Sequence, residues 1–358
     1  MSLLQDALTH LGEVILTGFD GTELSDDTAA FLTQARIGGV LLFSKNYTNP
    51  TQVAQLINQV QECRNDLPLW VSVDHEGGRV QRFREHFSII PPARRIGAVN
   101  SPKLSFDIAE LIGRELRSVG INLNFNPVCD IETNLSNPVL GDRAYGTTED
   151  DVSKQVTAII RGQLTQGVQG CAKHFPGHGD TNKDSHFDLP KVDTPLEVLR
   201  ERELKPFVKC FKSRCNFVMT AHVIYEKIDP QVPATFSSKI LREILRKEIR
   251  YSKIIISDDL EMEAITKHWG AEEAPRLALQ AGCDLLIYRT EKAARHAYMS
   301  LRKALESDQL DPKIVLEAAE RSREIKNSEL LPYSPVDPHA WKSVLSSPEH
   351  QELLQRIP

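Results

Sequence analysis

Residues 38–74 read GGVLLFSKNYTNPTQVAQLINQVQECRNDLPLWVSVD. An apolar run, Gly38–Phe43 (GGVLLF), opens the stretch, and another, Leu69–Asp74 (LWVSVD), closes it. Between them Val53, Leu56, Ile57 and Val60 fall at i, i+3, i+4 and i+7, the spacing of one helix face. Strand, helix, strand in this order predicts a βαβ unit. The apolar runs are near-continuous rather than alternating, as in strands covered on both faces of a parallel sheet.

Six more runs of this kind lie to either side. They are Glu13–Phe19 (EVILTGF), Ile121–Val128 (INLNFNPV), Gly170–Phe175 (GCAKHF), Phe217–Val223 (FVMTAHV), Lys253–Asp258 (KIIISD) and Asp284–Arg289 (DLLIYR). Helical spacing recurs at Val152, Val156, Ile159, Ile160 and Leu164, stopped by Gly167, and again at Ile240, Leu241, Ile244 and Leu245. Eight such units predict an α/β fold of the (β/α)8 TIM type, one domain over residues 1–330. An open doubly wound sheet is the competing architecture, but no G-x-G-x-x-G follows the first run. Residues 331–358 hold Pro332, Pro335, Pro338 and Pro348, and are read as a C-terminal tail packed on the barrel.

The 358 residues carry 43 Lys+Arg against 49 Asp+Glu, a net charge of −6, so no basic face points to nucleic acid. With 41% hydrophobic residues the chain can build a core, which excludes global disorder. No run approaches the ~20 apolar residues of a membrane span. The first residues, MSLLQD, lack the basic and apolar regions of a signal peptide, and a cytoplasmic location is expected. Six cysteines, at 63, 129, 171, 210, 215 and 283, form no C-x-x-C pair and read as buried reduced thiols.

In such a barrel, functional residues sit where strands end and loops begin. The third run ends in Asp74-His75-Glu76-Gly77-Gly78-Arg79, the last part read as a tight turn. The fourth leads to Asn126 and Asp130, and the fifth ends in Lys173-His174. The sixth ends near His222, and the seventh in Ser257-Asp258-Asp259. Titratable groups therefore converge on one predicted face. Asp258 follows three isoleucines, and a carboxylate there either faces a cleft or caps the next helix. After Phe175 the chain reads PGHGDTNKDSHFDLP. In it, Asp184 two residues before His186 can fix an imidazole tautomer for acid/base work, or be part of a solvated polar loop. His174, His178 and Asp180 admit a metal-ligand reading, although Pro176 and Gly177 break the helix that the His174–His178 spacing would need. Arg79, Arg82, Arg143 and Lys173 are cations of the same face, each equally a candidate for an ordinary ion pair, with Lys173 set apart by its apolar strand. Trp70 and Phe175 are read as core.

Several segments together resemble bacterial glycoside hydrolase family 3, in its single-domain β-N-acetylglucosaminidase form. They are Val73–Phe83 (VDHEGGRVQRF), Gly141–Tyr145 (GDRAY), Lys173–His186 (KHFPGHGDTNKDSH), Ala221–Tyr225 (AHVIY), Ser257–Met262 (SDDLEM) and Ala281–Asp284 (AGCD). The resemblance spans residues 12–330. It implies Asp258 as nucleophile, His186 as general acid/base and Asp184 as its partner. It implies Asp74, Arg82, Arg143, Lys173 and His174 as sugar-binding residues. It further implies a retaining reaction with no metal or other cofactor. The implied substrates are peptidoglycan fragments bearing terminal β-linked N-acetylglucosamine, such as N-acetylglucosaminyl-1,6-anhydro-N-acetylmuramic acid with or without peptide. A monomer without nucleic-acid or membrane partners is expected. His75, where relatives carry Gln, and Asn126, where they carry a small residue, depart from the pattern. Two other readings stand beside this one: a metal-dependent barrel hydrolase built on His174, His178 and Asp180, and an inactive sugar-binding protein.

Overall fold

The computed structural model describes residues 2–137, 139–181 and 189–357. Eight parallel strands close a barrel: β1 Ile15–Thr17, β2 Gly39–Leu42, β3 Trp70–Val73, β4 Leu123–Asn124, β5 Gln169–Phe175, β6 Phe217–Thr220, β7 Ile254–Asp259 and β8 Leu285–Tyr288. Each strand lies beside its neighbours in sequence, and β8 pairs with β1 (Leu16 opposite Ile287) to complete the ring. The expected (β/α)8 architecture is the one observed.

The near-continuous apolar runs have a geometric cause. Successive side chains of a strand point to opposite faces, and here both faces are buried. Leu16, Leu41, Trp70, Phe217, Ile254 and Ile256 fill the barrel interior. Ile15, Val40, Val71, Val218 and Ile255 face the surrounding helices. Each such residue contributes roughly 1.5–3 kcal/mol through burial. The lower end is plugged by the long helix Pro312–Glu329: Ile325 joins the inner cluster, Ser322 accepts from the Trp70 indole N–H, and Lys326 donates to the Gly38 carbonyl.

Helix starts are written into the sequence. Asn49, Ser101, Asp311 and Ser347 each cap a helix through the side chain, and each is followed by proline in the first turn. The helical spacing around Ile240–Leu245 becomes a wide π-type helix, Lys239–Glu248. One run is shorter in the barrel than its length suggests. Of Ile121–Val128, only Leu123–Asn124 pairs with both neighbouring strands. Pro127 has no N–H to give a ladder, and Val128 rejoins β5 through a single bridge to Lys173.

After the last barrel helix the chain runs back across the outside. Val336 exchanges hydrogen bonds with the Asn58 side chain, and the Trp341 indole donates to Thr51. Helix Pro348–Leu354 brings His350 to Glu115. Among the described residues no helix is long and apolar enough to cross a membrane.

Candidate active site

The C-terminal mouth of the barrel opens into a cavity of about 310 Å³. Strand β3 supplies one wall. Beyond Val73 the chain passes Asp74 and forms a small hairpin, His75–Gly77 against Val80–Gln81. Its turn uses Gly77 and Gly78 at φ 102° and 56°, torsions that favour glycine. Alternation sends Asp74 and Glu76 into the cavity and His75 away from it. His75 is instead 1% exposed beside Phe83 and Phe87, and burial pushes its imidazole down to about 4.

Charges on this wall are paired across strands. The Lys173 ammonium lies 2.8 Å from Asp74 and 2.6 Å from Glu76. Arg143 grips both oxygens of Glu76 at 2.8 Å, and Arg82 reaches Asp74 at 3.3 Å. Burial alone would raise both carboxyl values. The neighbouring cations outweigh it, holding Asp74 well below the usual carboxylate range and Glu76 at about 2. Burial would likewise lower Lys173, but Asp74 and Glu76 keep its value raised. The wall is therefore a fixed set of charged hydrogen-bonding groups, suited to the hydroxyls of a polar ligand.

Strand β5 carries His174 as its last residue but one, and the His174 Nδ1 lies 2.8 Å from Asp130. The same carboxylate accepts the backbone N–H of His174 and that of His178. Strand β7 supplies the opposite wall with Asp258 and Asp259. The two resolve the choice between cleft and cap. Asp259 accepts the Glu261 N–H and closes the local turn, while Asp258 does not cap the helix that follows and lines the cavity. Burial opposes charge on Asp258, but His222 and His174 in their protonated forms, the Asp259 N–H and Lys173 outweigh it and lower its value. Burial raises Asp259 to about 7. His222 holds this strand end: its Nε2–H donates to the Asp259 carbonyl at 3.0 Å, and its Nδ1 lies 2.8 Å from the Thr235 hydroxyl.

Asp258, Asp74, Arg82, Arg143, Lys173 and His174, six residues singled out from sequence, thus line one cavity. Asp184 and His186 lie outside the described residues. Trp70 and Phe175 are fully buried core, as expected. The ligand set of the metal reading does not assemble. Asp180 is tied to Arg202 and Thr194, His174 to Asp130, and His178 to Thr181. Among the described residues no three His, Cys, Asp or Glu side chains form a group that could hold a metal. Sequence reasoning assigned no role to Glu76, Asp130 or Arg289. For Glu76 a signal was present: it stands two residues beyond Asp74, on the same face of an extended chain.

Comparison with known proteins places the chain in a family. Residues 4–325 match the glycosyl hydrolase family 3 N-terminal domain. A β-hexosaminidase of Idiomarina loihiensis is 38% identical over 277 residues, 76% of this chain and 82% of that protein. One of Methylococcus capsulatus is 38% identical over 296 residues, 82% of this chain and 86% of that protein. Among solved structures, a family 3 β-N-acetylglucosaminidase from a Paenibacillus species superposes with TM-score 0.94 at 35% identity, covering 98% of this chain and 68% of that one. NagZ from Neisseria gonorrhoeae, in complex with N-trifluoroacetyl-D-glucosamine, superposes with TM-score 0.80 at 28% identity and covers 96% of each chain.

Proposed function

Because the chain belongs to glycosyl hydrolase family 3, we propose that this cavity holds a terminal β-linked N-acetylglucosamine and that Asp258 attacks its anomeric carbon. The chain is a β-N-acetylhexosaminidase. The finer reading is that it cleaves peptidoglycan fragments, N-acetylglucosaminyl-1,6-anhydro-N-acetylmuramic acid with or without peptide, in cytoplasmic cell-wall recycling. Its free cysteines suit a reducing compartment. The observation that carries the mechanism is the Asp258 side chain facing the Asp74–Lys173–His174 wall across one cavity.

The reaction has two displacements. In the first, the Asp258 carboxylate forms a bond to C1 as the glycosidic bond breaks, and His186 gives its proton to the departing oxygen. In the second, water attacks C1, passes a proton to His186 and releases Asp258. Two inversions retain the anomeric configuration. Asp184 fixes the tautomer of His186 and raises its basicity. Asp74, Arg82, Arg143, Lys173 and His174 bind the sugar hydroxyls and hold C1 against Asp258.

The test is release of 4-nitrophenol from 4-nitrophenyl N-acetyl-β-D-glucosaminide in the presence of EDTA. We expect turnover by the wild type and none by a folded Asp258→Asn. Near-normal activity in that variant would remove Asp258 from the mechanism. His186→Ala should lose less activity on substrates with good leaving groups than on poor ones. Equal losses would remove His186 as the acid. Activity on the aryl glucosaminide without hydrolysis of the anhydro-muropeptide would restrict the proposal to its coarser form.

A further inference from the structure

We propose that Asp130 is a positioning residue that fixes the tautomer of His174, so that the ring presents Nε2 to the bound sugar. The inference rests on the reading of His174 as a sugar contact. Asp130 is 1% exposed and does not line the cavity. Three backbone or ring N–H groups meet on its two oxygens. The His178 N–H donates at 2.7 Å, the His174 N–H at 3.2 and 3.3 Å, and the His174 ring brings Nδ1 to 2.8 Å. Carboxylate oxygens accept and do not donate. The ring proton therefore sits on Nδ1, and Nε2 is the remaining polar atom of a side chain that lines the cavity. In the neutral ring Nε2 is an acceptor, complementary to a sugar hydroxyl.

The surroundings make this arrangement rigid. Val128 and Cys129 run beside β5, with the Cys129 N–H donating to the Lys173 carbonyl at 2.6 Å. Seven residues past Asp130, the Asn137 amide donates to the carbonyls of His178 and Gly179 and to the Thr181 hydroxyl. One loop thus sets both the His174 ring and the backbone leaving β5. An amide at position 130 would keep the size but bring an N–H2 group toward Nδ1. That moves the ring proton to Nε2 and turns the sugar-facing acceptor into a donor, as a carboxylate-to-amide change does in other His–Asp pairs.

The test reads the tautomer directly by long-range ¹H–¹⁵N correlation of the imidazoles, with the His174 signal assigned by its loss in His174→Gln. We expect the Nδ1–H form in the wild type and the Nε2–H form in Asp130→Asn. We further expect kcat/KM to fall about 10–100-fold in that variant, mainly through KM, the cost of mismatching one buried hydrogen bond. A wild-type His174 in the neutral Nε2–H form overturns the proposal without any variant, so it stays decidable if Asp130→Asn does not fold. Retention of the Nδ1–H form and of KM in Asp130→Asn also overturns it. Should His174→Gln leave KM unchanged, His174 is not a sugar contact, and that failure is separate from the tautomer result.

Discussion

Glu76 shows how a residue outside the reacting pair governs the site. Its carboxylate is nearly inaccessible and joins Arg143 to Lys173. Taking one member from a buried charge network costs roughly 3–5 kcal/mol, because the others stay buried without a partner. Glu76→Gln should therefore lower the urea midpoint and raise KM together. The pH dependence gives the sign. The folded value is held at about 2, below the ordinary glutamate value. Its contribution is then complete above the unfolded value of ~4.3 and is lost as pH falls toward the folded one. Wild type and Glu76→Gln should differ most at neutral pH and converge below pH ~4. A gap independent of pH, measured by urea unfolding across that range, would show that Glu76 acts through shape and not charge.

At the scale of elements, the barrel was legible because its strands are buried on both faces. In Ile254–Asp259 the residues Ile254 and Ile256 turn inward and Ile255 outward, which leaves no polar position until Ser257. The site was legible for the same reason: Asp74, Lys173 and Asp258 interrupt or end apolar runs, where a charge is costly without a purpose. Asp130 was harder to read because Pro127 breaks the strand before it and hides which way it faces. The stem after β5 shows why this loop carries glycine. A Cβ on Gly179 would stand 1.9 Å from the Ile131 carbonyl oxygen, so the stem and the β4 loop must separate if a side chain is added. Small displacements of binding groups cost up to about 10²-fold in rate. Gly179→Ala should thus lower kcat/KM at least tenfold while far-UV circular dichroism is kept. Unchanged kinetics would mean that the two segments part without consequence for the site.

At the scale of the whole molecule, the outer C-terminal segment reaches the active-site wall through a chain of hydrogen bonds. Glu115, on the helix Pro102–Ser118, accepts from the Ser88 N–H and hydroxyl, the Ser346 N–H and the His350 ring. Burial would raise its value, and these four donors outweigh it and hold it lowered. The Gln81 amide N–H in turn donates to the Ser88 carbonyl, its amide oxygen accepts the Ile90 N–H, and the Ile90 carbonyl accepts from the Gly78 N–H in the turn after Glu76. Composition marked residues 331–358 as different but could not show this route, because Ser346 and His350 meet a glutamate that lies 231 and 235 positions earlier in the sequence. We expect the segment to unfold with the barrel in a single transition. His350→Ala and Glu115→Gln should each destabilise the chain, and a double-mutant cycle should return a coupling of about 1.5–3 kcal/mol, as for a buried hydrogen bond to a charged group. His350→Ala should also raise KM modestly, since it loosens the support of the hairpin that carries Glu76. Additive stabilities in the cycle would mean that the segment rests on the barrel without bracing it. A KM change without coupling would place its influence on the site along some path other than Glu115.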